Sequence, residues 1–367
     1  MARQVLHIID SLSRTGRAAQ LLIVAQGLVT DGFGVHVAAL GGCAALAGEF
    51  RAANVSVTHL DRRWLQDPVL CVRLKRLVAR LRPDVIHCWG DLSAMYGRFV
   101  SRFRRAPRIV VGQYDIDPWK ANWRWTLERR LARQGERLVV DSRVVRDWCV
   151  EHGMDADAIT IIRPGVPPAP KSDMSRDELL RELRLPAKAK LIGVIGRLVP
   201  EKRVKDLIWA ADLLRVLHDN LRLLVIGDGP LRSPLEQYAR LASDLDHIQF
   251  LGERADVWRI MPHLDVLWNA SENRRHSIAV LEAMAAGVPV IASDTPFNRE
   301  FVVENETGYM IRLNTRAGRA ERARHTDHIL TDREIASRIG AASHQRIAKH
   351  FSAQRMVQDY VAAYADA

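Results

Sequence analysis

A loop in the second half of the chain carries two cations beside a glycine. Gly196 ends an apolar segment, Arg197 follows it directly, and Lys202 stands where the next helical pattern begins. Two cations at the start of a helix suit a diphosphate, because they neutralise its charge while backbone N–H groups supply hydrogen bonds. We therefore predict that Arg197 and Lys202 bind a diphosphate.

Two further loops follow apolar segments in the same half. Gly227 and Gly229 flank Asp228 in the first, where glycine permits a positive φ. The second leads into a short helical pattern that contains Glu282, a carboxylate placed to meet a ligand at the helix start. A solvated glutamate in an ordinary βαβ unit explains Glu282 equally well. No loop has the form GxxxxGK[ST], so the pattern does not predict an ATPase.

Alternating strands and helices must position these loops. Apolar runs alternate with helical patterns of 10–15 residues, which is typical of parallel, doubly wound sheets. The segment Arg163–Lys171 holds four of the fifteen prolines and is the predicted linker. We predict an N-terminal Rossmann-like domain at 1–168, joined by a C-terminal helix at 351–367, and a second such domain at 169–350. The ligand cleft is expected between the carboxyl ends of the two sheets. The predicted strands include Gln4–Ile9, Val35–Leu40, Asp84–Cys88, Arg108–Gly112, Lys190–Gly196, Leu221–Gly227 and Val288–Ala292.

Composition bounds the class of protein. The chain has 367 residues with 48% apolar and 26% charged residues, which are globular values. No apolar run approaches the ~18 residues of a membrane-spanning helix, and the N-terminus lacks the form of a signal peptide. The four cysteines are widely spaced and include no CxxC pair, which is typical of reduced thiols in a cytoplasmic protein. The same spacing does not favour a zinc site.

Positive charge is concentrated in the first half. Residues 1–170 hold 25 Lys and Arg against 16 Asp and Glu, a net charge of +9 out of the total of +11. A surface with this charge could bind anionic lipid, an acidic acceptor or nucleic acid. A soluble arginine-rich surface without a specific partner explains the charge as well. Nucleic acid is not expected, because no binding motif accompanies the charge. Trp119, Trp123 and Trp125 with Lys120 and Arg124 form an aromatic and basic patch, either a membrane interface or part of the core.

The loops described above belong to a longer set of motifs: Gly196-Arg197, Glu201-Lys202, Leu224–Pro230, Phe250-Leu251-Gly252, Leu281–Ala292, Glu304–Gly308 and Phe351-Ser352. Together these motifs resemble the retaining glycosyltransferases of the GT-B fold, that is, glycosyltransferase family four, group 1 type. The resemblance covers essentially the whole chain and is most specific in residues 190–312. It implies a transferase that moves a sugar from a nucleotide diphosphate sugar to a glycan or lipid-linked acceptor.

The resemblance also implies roles for individual residues. Arg197 and Lys202 would be the catalytic cations that hold the diphosphate as it leaves, so neither a metal nor another cofactor is expected. Glu282 would hold the ribose hydroxyls. Gly16 would let the first loop approach the phosphates or the sugar. The remaining donor-binding positions carried over from the family are Gly196, Gly227, Gly229, Arg274, Arg275, His276, Ser277 and Ile278.

The chain departs from the family where the family holds the donor sugar. The first glutamate of the usual Glu-x7-Glu motif is Arg274, and Arg275-His276 replaces Gly-Phe. Arginine cannot accept a hydrogen bond from a sugar hydroxyl, though it can donate one. Two explanations stay open. One is an active enzyme with an unusual sugar, for example an acidic one paired with Arg274 or Arg275. The other is a protein that binds a nucleotide or glycan without transfer. A nucleotide-sugar epimerase fits the fold but not the motifs.

The acceptor side is also changed. The histidine usual after the fifth strand falls at about Tyr114. His276 could replace it, or could be a solvated loop residue. His87, near Trp89, is a second candidate, or else a packed histidine at a strand end. Asp115 could bind the acceptor or cap a turn. With a basic N-terminal domain, we expect a cytoplasmic protein, peripheral on the inner face of a membrane.

Overall fold

The computed structural model describes residues 3–64, 67–101, 107–118, 120, 122–132, 135–170, 172–242, 247–272, 276–313 and 315–366. They form two compact units. The first comprises the chain up to residue 165 together with His276 and residues 352–366, and the second comprises 166–272 and 277–351. Each unit contains one parallel sheet with its own helices.

The first unit has a seven-stranded sheet in the order β3-β2-β1-β4-β5-β6-β7. Its central strands are apolar and buried on both faces, as parallel strands covered by helices require. Chain progression reverses between β1 and β4, so the loops after these two strands diverge at the sheet edge where ligands bind in such folds. The strands are β1 (Gln4–Ile9), β2 (Gly34–Ala39), β3 (Ser56–His59), β4 (Val85–Trp89), β5 (Arg108–Gln113), β6 (Arg137–Val140) and β7 (Ile159–Ile161).

Seven helices described in this unit cover its sheet. The last of them packs on the first, and Met356, Tyr360 and Tyr364 join the same buried core as Leu21 and Val24. The expected return of the C-terminal helix to the N-terminal domain is therefore confirmed. The helices are α1 (Gly16–Thr30), α2 (Ala47–Ala52), α3 (Pro68–Leu81), α4 (Asp91–Val100), α5 (Asn122–Leu131), α6 (Arg143–Glu151) and α15 (Ala353–Asp366).

The second unit has a six-stranded parallel sheet in the order β10-β9-β8-β11-β12-β13. Its strands are β8 (Lys190–Ile195), β9 (Leu221–Ile226), β10 (Ile248–Gly252), β11 (Val266–Asn269), β12 (Val290–Ser293) and β13 (Tyr309–Ile311). Its helices are α7 (Arg176–Glu182), α8 (Val204–Arg215), α9 (Arg232–Ala242), α10 (Val257–Ile260), α11 (Ile278–Ala285), α12 (Pro296–Phe301), α13 (Arg316–Thr331) and α14 (Arg333–His350).

One helix of this unit was not expected. The sequence pattern placed the first element after the linker at Lys190, but α7 precedes it. Ser175 accepts a hydrogen bond from the backbone of Glu178, whose carboxylate accepts one in return from Ser175. This reciprocal pair is a capping box, and its Ser-x-x-Glu spacing was readable in the sequence.

Across the described residues, every helix is too short or too polar to span a bilayer.

Candidate functional site

Three loops meet at one edge of the second sheet. β9, β8 and β11 are neighbours in the sheet, so their carboxyl ends bring the segments after Ile226, Ile195 and Asn269 together. These are the two glycine loops and the loop before Glu282 that the sequence singled out. The order of strands in the sheet makes one site of residues that lie far apart in the chain.

The cationic loop folds back on its own glycine. Pro200–Lys202 forms a single turn of 3-10 helix, and the end of the Lys202 side chain lies near Gly196, directly after β8. A Cβ built on Gly196 would lie 3.6 Å from Lys202 Cε and 3.9 Å from its Nζ. Arg197 is exposed and Lys202 is half-buried. The ammonium of Lys202 therefore lies over the start of the loop, and Arg197, the residue after Gly196, is exposed to solvent.

The two glycine loops touch backbone to backbone. Leu198 N donates to Asp228 O at 2.9 Å, and Leu231 N donates to Leu198 O at 3.1 Å. Gly227 has φ +134°, and a Cβ there would lie closer than 3.0 Å to Gly196 O. Gly229 does not have the positive φ that the sequence suggested. Glycine is needed at this position for a different reason, because a Cβ there would lie 2.5 Å from Leu198 O.

A buried polar network fixes the start of α11. Asn269 Nδ2 donates to Ser277 Oγ at 3.0 Å, and Ser293 Oγ donates to Ser271 O at 2.6 Å. All four residues are buried. Ser277 precedes the first residue of α11, and Ile278 packs partly against the core. The end of β11 and the beginning of α11 are thus held in fixed register, which orients the rest of that helix.

Glu282 lies on the solvent side of α11. Its side chain is exposed, yet the protein around it partly desolvates the carboxyl and raises its pKa above the ordinary value. A carboxylate in such a place gains from a ligand that donates hydrogen bonds, because each donor replaces solvation that the protein has removed.

An arginine that the sequence reasoning missed ties two of these loops together. Arg203 Nη1 donates to Glu272 Oε1 at 2.6 Å, while its Nε donates to Asp206 Oδ2 at 2.7 Å. The backbone adds a bond from Glu272 N to Glu201 O at 2.9 Å. Arg203 and Glu272 follow adjacent strands and carry opposite charges. Those charges were the feature of the sequence that could have identified this ion pair. The pair braces the residue after Lys202 against the segment before α11.

The residues that replace the family's sugar-binding glutamate are only partly described. Arg274 and Arg275 lie outside the described residues. His276 groups with the first unit, where its Nδ1 is 3.3 Å from Asp141 Oδ2, and its side chain is only 2% exposed. The interpretation of His276 as a solvated loop histidine is therefore wrong. Its imidazole is enclosed beside a carboxylate that follows β6.

In the first unit, a second arginine that the sequence reasoning missed, Arg17, lies close to acidic residues that follow β1 and β5. Arg17, next to Gly16 at the start of α1, lies with Nη2 3.1 Å from Asp115 Oδ2 and Nη1 4.0 Å from Asp10 Oδ2. Its Nη1 is also 3.5 Å from Trp89 O. Burial raises the pKa of Asp10, although Arg17 and a neighbouring arginine oppose that shift. Asp115 thus lies in an ion-pair cluster at the carboxyl edge of the sheet.

His87 and Tyr114 lie inside the protein. His87 is fully buried, with Nδ1 2.7 Å from Tyr364 Oη and Nε2 3.0 Å from Tyr114 Oη, and Tyr114 Oη is 3.1 Å from Tyr360 Oη. Burial lowers the pKa of His87 well below its ordinary value, so the ring is neutral. This location argues against direct contact of His87 with an acceptor. The network instead fastens α15 to the sheet, and the packed alternative for His87 is the correct one.

Two buried histidines predict acid sensitivity. Burial lowers the pKa of His7, which accepts a hydrogen bond from Trp89, to about 3. In the unfolded chain a histidine has a pKa of about 6.5. Below that pH the unfolded state therefore binds more protons than the folded state. We expect the free energy of unfolding to fall by up to about 1.4 kcal/mol per pH unit for each such histidine. His7→Gln should make this fall shallower, measured by urea unfolding between about pH 7 and about pH 5.

The matched control is His328→Gln, because His328 is exposed on α13. A wild-type slope in the His7 variant would contradict the assignment.

Within the described ranges, no group of three or more His, Cys, Asp or Glu side chains is placed to hold a metal ion.

Comparison with known proteins adds two family models. Residues 175–346 match the model for Glycosyl transferases group 1, and residues 16–169 match the model for Glycosyltransferase Family 4. The two matches divide near the same linker as the two compact units.

Curated relatives fall in the same group. A GDP-mannose-dependent alpha-mannosyltransferase of Mycolicibacterium smegmatis is 29% identical over 336 residues, which are 85% of this chain and 80% of the relative. A D-inositol 3-phosphate glycosyltransferase of Corynebacterium efficiens is 30% identical over 251 residues, covering 62% of this chain and 59% of the relative. For three of the curated relatives, the match spans between 50% and 63% of their own length.

A solved structure supports the fold. The crystal structure of Anabaena HepE in complex with UDP and glucose superposes with a TM-score of 0.87 at 18% identity and covers 100% of both chains. The predicted architecture of two Rossmann-like domains is confirmed.

Proposed function

Because the chain belongs to the group 1 glycosyl transferases of glycosyltransferase family 4, we propose that it is a retaining glycosyltransferase. It moves a sugar from a nucleoside diphosphate sugar to a glycan or a lipid-linked acceptor. The observation that carries this proposal is the cationic loop, in which the Lys202 ammonium lies over Gly196 beside the exposed Arg197. The names of the relatives support the donor class, since one depends on GDP-mannose and a structural neighbour holds UDP and glucose.

The proposed chemistry is electrostatic. When the bond between the anomeric carbon and the diphosphate oxygen breaks, negative charge accumulates on the departing diphosphate. The side chains of Arg197 and Lys202 offset that charge and donate charge-assisted hydrogen bonds to the diphosphate oxygens. The glycine loops hold the two cations in place because their backbones are bonded to each other. The donor is a substrate, so the proposal requires no cofactor.

We place the nucleoside half of the donor at Glu282. Its exposed, partly desolvated carboxyl can accept hydrogen bonds from both ribose hydroxyls. We expect Glu282→Gln to weaken donor binding by about 10- to 100-fold, because hydrogen bonds to a charged group contribute about 1.5–3 kcal/mol. Titration calorimetry with the nucleoside diphosphate measures this.

The control for that variant is Glu304→Gln, a carboxylate of the same unit that accepts a hydrogen bond from Met310 N. An unchanged dissociation constant for Glu282→Gln would remove the ribose role.

On the acceptor side we propose the cluster of Arg17, Asp10 and Asp115, which gathers charge at the carboxyl edge of the first sheet. Asp115 is carried over from the sequence prediction, and Arg17 is added to it. The proposed location is cytoplasmic and peripheral to the membrane, in keeping with four free cysteines and the basic first half of the chain.

A thermal-shift screen of nucleoside diphosphates and their sugars tests the proposal. A ligand that binds only the folded protein raises its melting temperature, by an amount that grows with the ligand concentration. We expect stabilisation by one diphosphate and by its sugar, followed by transfer or donor hydrolysis with that sugar. Stabilisation by none of them would overturn the proposal, and binding without turnover of any donor would leave a binding protein instead of a transferase.

A further inference from the structure

The helix α3 presents a stripe of unusual composition to solvent. Val69, Val72, Arg76 and Arg80 are spaced by three or four residues and all are exposed. Leu70, Leu74 and Leu77 form the buried side of the same helix. The exposed stripe is thus apolar over the first turn and basic over the later turns, so apolar side chains and positive charge share one exposed side of the helix.

Further exposed aromatic and basic residues lie around this stripe. Trp64, just before α3, is 56% exposed, and Phe99 on the adjoining helix α4 is 51% exposed. Residues 68–82 contain five basic residues and no acidic one, and Lys75 and Arg82 are exposed there as well. The crossovers through α3, α4 and α5 all advance in one direction across the sheet, which places these helices on one side of it. Trp123 on α5, 63% exposed, is therefore on that side too.

The exposed apolar residues at the end of α8 lack this excess of positive charge. Val216 and Leu217, in the second unit, are exposed at the end of α8, but α8 carries two basic and two acidic residues. The aromatic and basic patch suggested by the sequence divides between its two alternatives, core and exposed surface. Trp125 is buried, and Lys120 is buried over its ring and paired with Asp91 and Glu128. Of that patch, Trp119 and the Arg124 side chain are not described, and Trp123 is exposed.

We propose that this side of the first unit, defined by Trp64, Val69, Val72, Phe99, Arg76 and Arg80 and called the α3 face, docks on an anionic lipid bilayer. The aromatic and valine side chains enter the headgroup region, and the arginines pair with lipid phosphates. The inference rests on the proposed function in one respect, because a bilayer is where a lipid-linked acceptor would be found. Charge complementarity and the interfacial aromatic residues favour a bilayer over an acidic protein.

The test is co-sedimentation of the full chain with vesicles of phosphatidylcholine and phosphatidylglycerol in a three-to-one mixture, against vesicles of phosphatidylcholine alone. We expect binding to the anionic vesicles only, weakened by salt. Arg76→Glu with Arg80→Glu should lower that binding at least about tenfold. Trp64→Ala with Val72→Ser should lower it while leaving the charge unchanged.

The matched control is Arg333→Glu with Arg338→Glu, the same charge change on exposed residues of α14. Equal loss of binding in the control would show unspecific attraction and overturn the proposal. The proposal would also be overturned if the wild-type protein did not co-sediment with the anionic vesicles. That includes the case in which it binds soluble polyglutamate and no vesicle. The vesicle assay needs no nucleotide, so it can fail while the thermal-shift screen succeeds. Nucleoside diphosphate binding by the α3-face variants should match the wild type.

Discussion

Lys202→Ala is expected to lower kcat by about 10²- to 10³-fold, the loss seen when one preorganised donor to a developing negative charge is removed. The Lys202 ammonium lies over Gly196 at the end of β8, where we place the diphosphate of the donor. Removing it takes one positive charge away from the bound donor, and the loss is larger in the transition state, where more negative charge has accumulated on the diphosphate. We therefore expect a weaker donor affinity together with slower turnover, measured by steady-state kinetics with the donor that the screen identifies. Arg197→Ala should act in the same direction.

Lys205→Ala is the matched control for Lys202→Ala. Lys205 is exposed on α8, three residues further on, and lies over the ring of Tyr238. The net charge changes equally, but the cation is not at the end of β8. We expect near wild-type kinetics from it. Wild-type kinetics from Lys202→Ala would remove the diphosphate role of the loop.

The second large effect is expected at the contact between the glycine loops. Gly227→Ala forces a side chain into a backbone with φ +134° and brings its Cβ closer than 3.0 Å to Gly196 O. A residue held in a sparsely allowed conformation costs about 1–3 kcal/mol, and the clash adds to it. We expect the free energy of unfolding to fall by at least about 2 kcal/mol. Donor affinity should fall as well, because the loop that carries Lys202 must move away. Urea unfolding and titration calorimetry measure the two effects.

Gly48→Ala provides the comparison. Gly48 is the second residue of α2, and a Cβ there would meet no atom within 4 Å. Alanine favours the helical backbone over glycine, by up to about 1 kcal/mol in a helix interior, so this variant should be as stable as the wild type or more so. If Gly227→Ala were equally stable, the two loops would not be packed as described.

The sequence was sufficient for the architecture because hydrophobic periodicity is a local property. Apolar runs separated by helical patterns predicted both parallel sheets, and the glycine and Glu282 loops fell after the strands where the structure has them. The family resemblance is confirmed by the two family models. The roles of Arg197, Lys202 and Glu282 stay predictions that the experiments above decide.

What the sequence could not provide depends on which strands become neighbours. Arg203 and Glu272 meet because β8 lies beside β11, a pairing that no local pattern encodes. In the same way, Arg17 meets Asp115 across a sequence separation of 98 residues. The fold also overrides simple expectations about polarity, since Lys120 and His276 are polar loop residues that the structure buries beside carboxylates.

A crystal structure of the chain with its nucleoside diphosphate bound tests the central claim most directly. We predict the diphosphate beside Gly196, with the side chains of Arg197 and Lys202 within hydrogen-bond distance of its oxygens and the ribose hydroxyls on Glu282. A nucleotide bound elsewhere in the second unit, with Lys202 and Glu282 in solvent, would contradict the account.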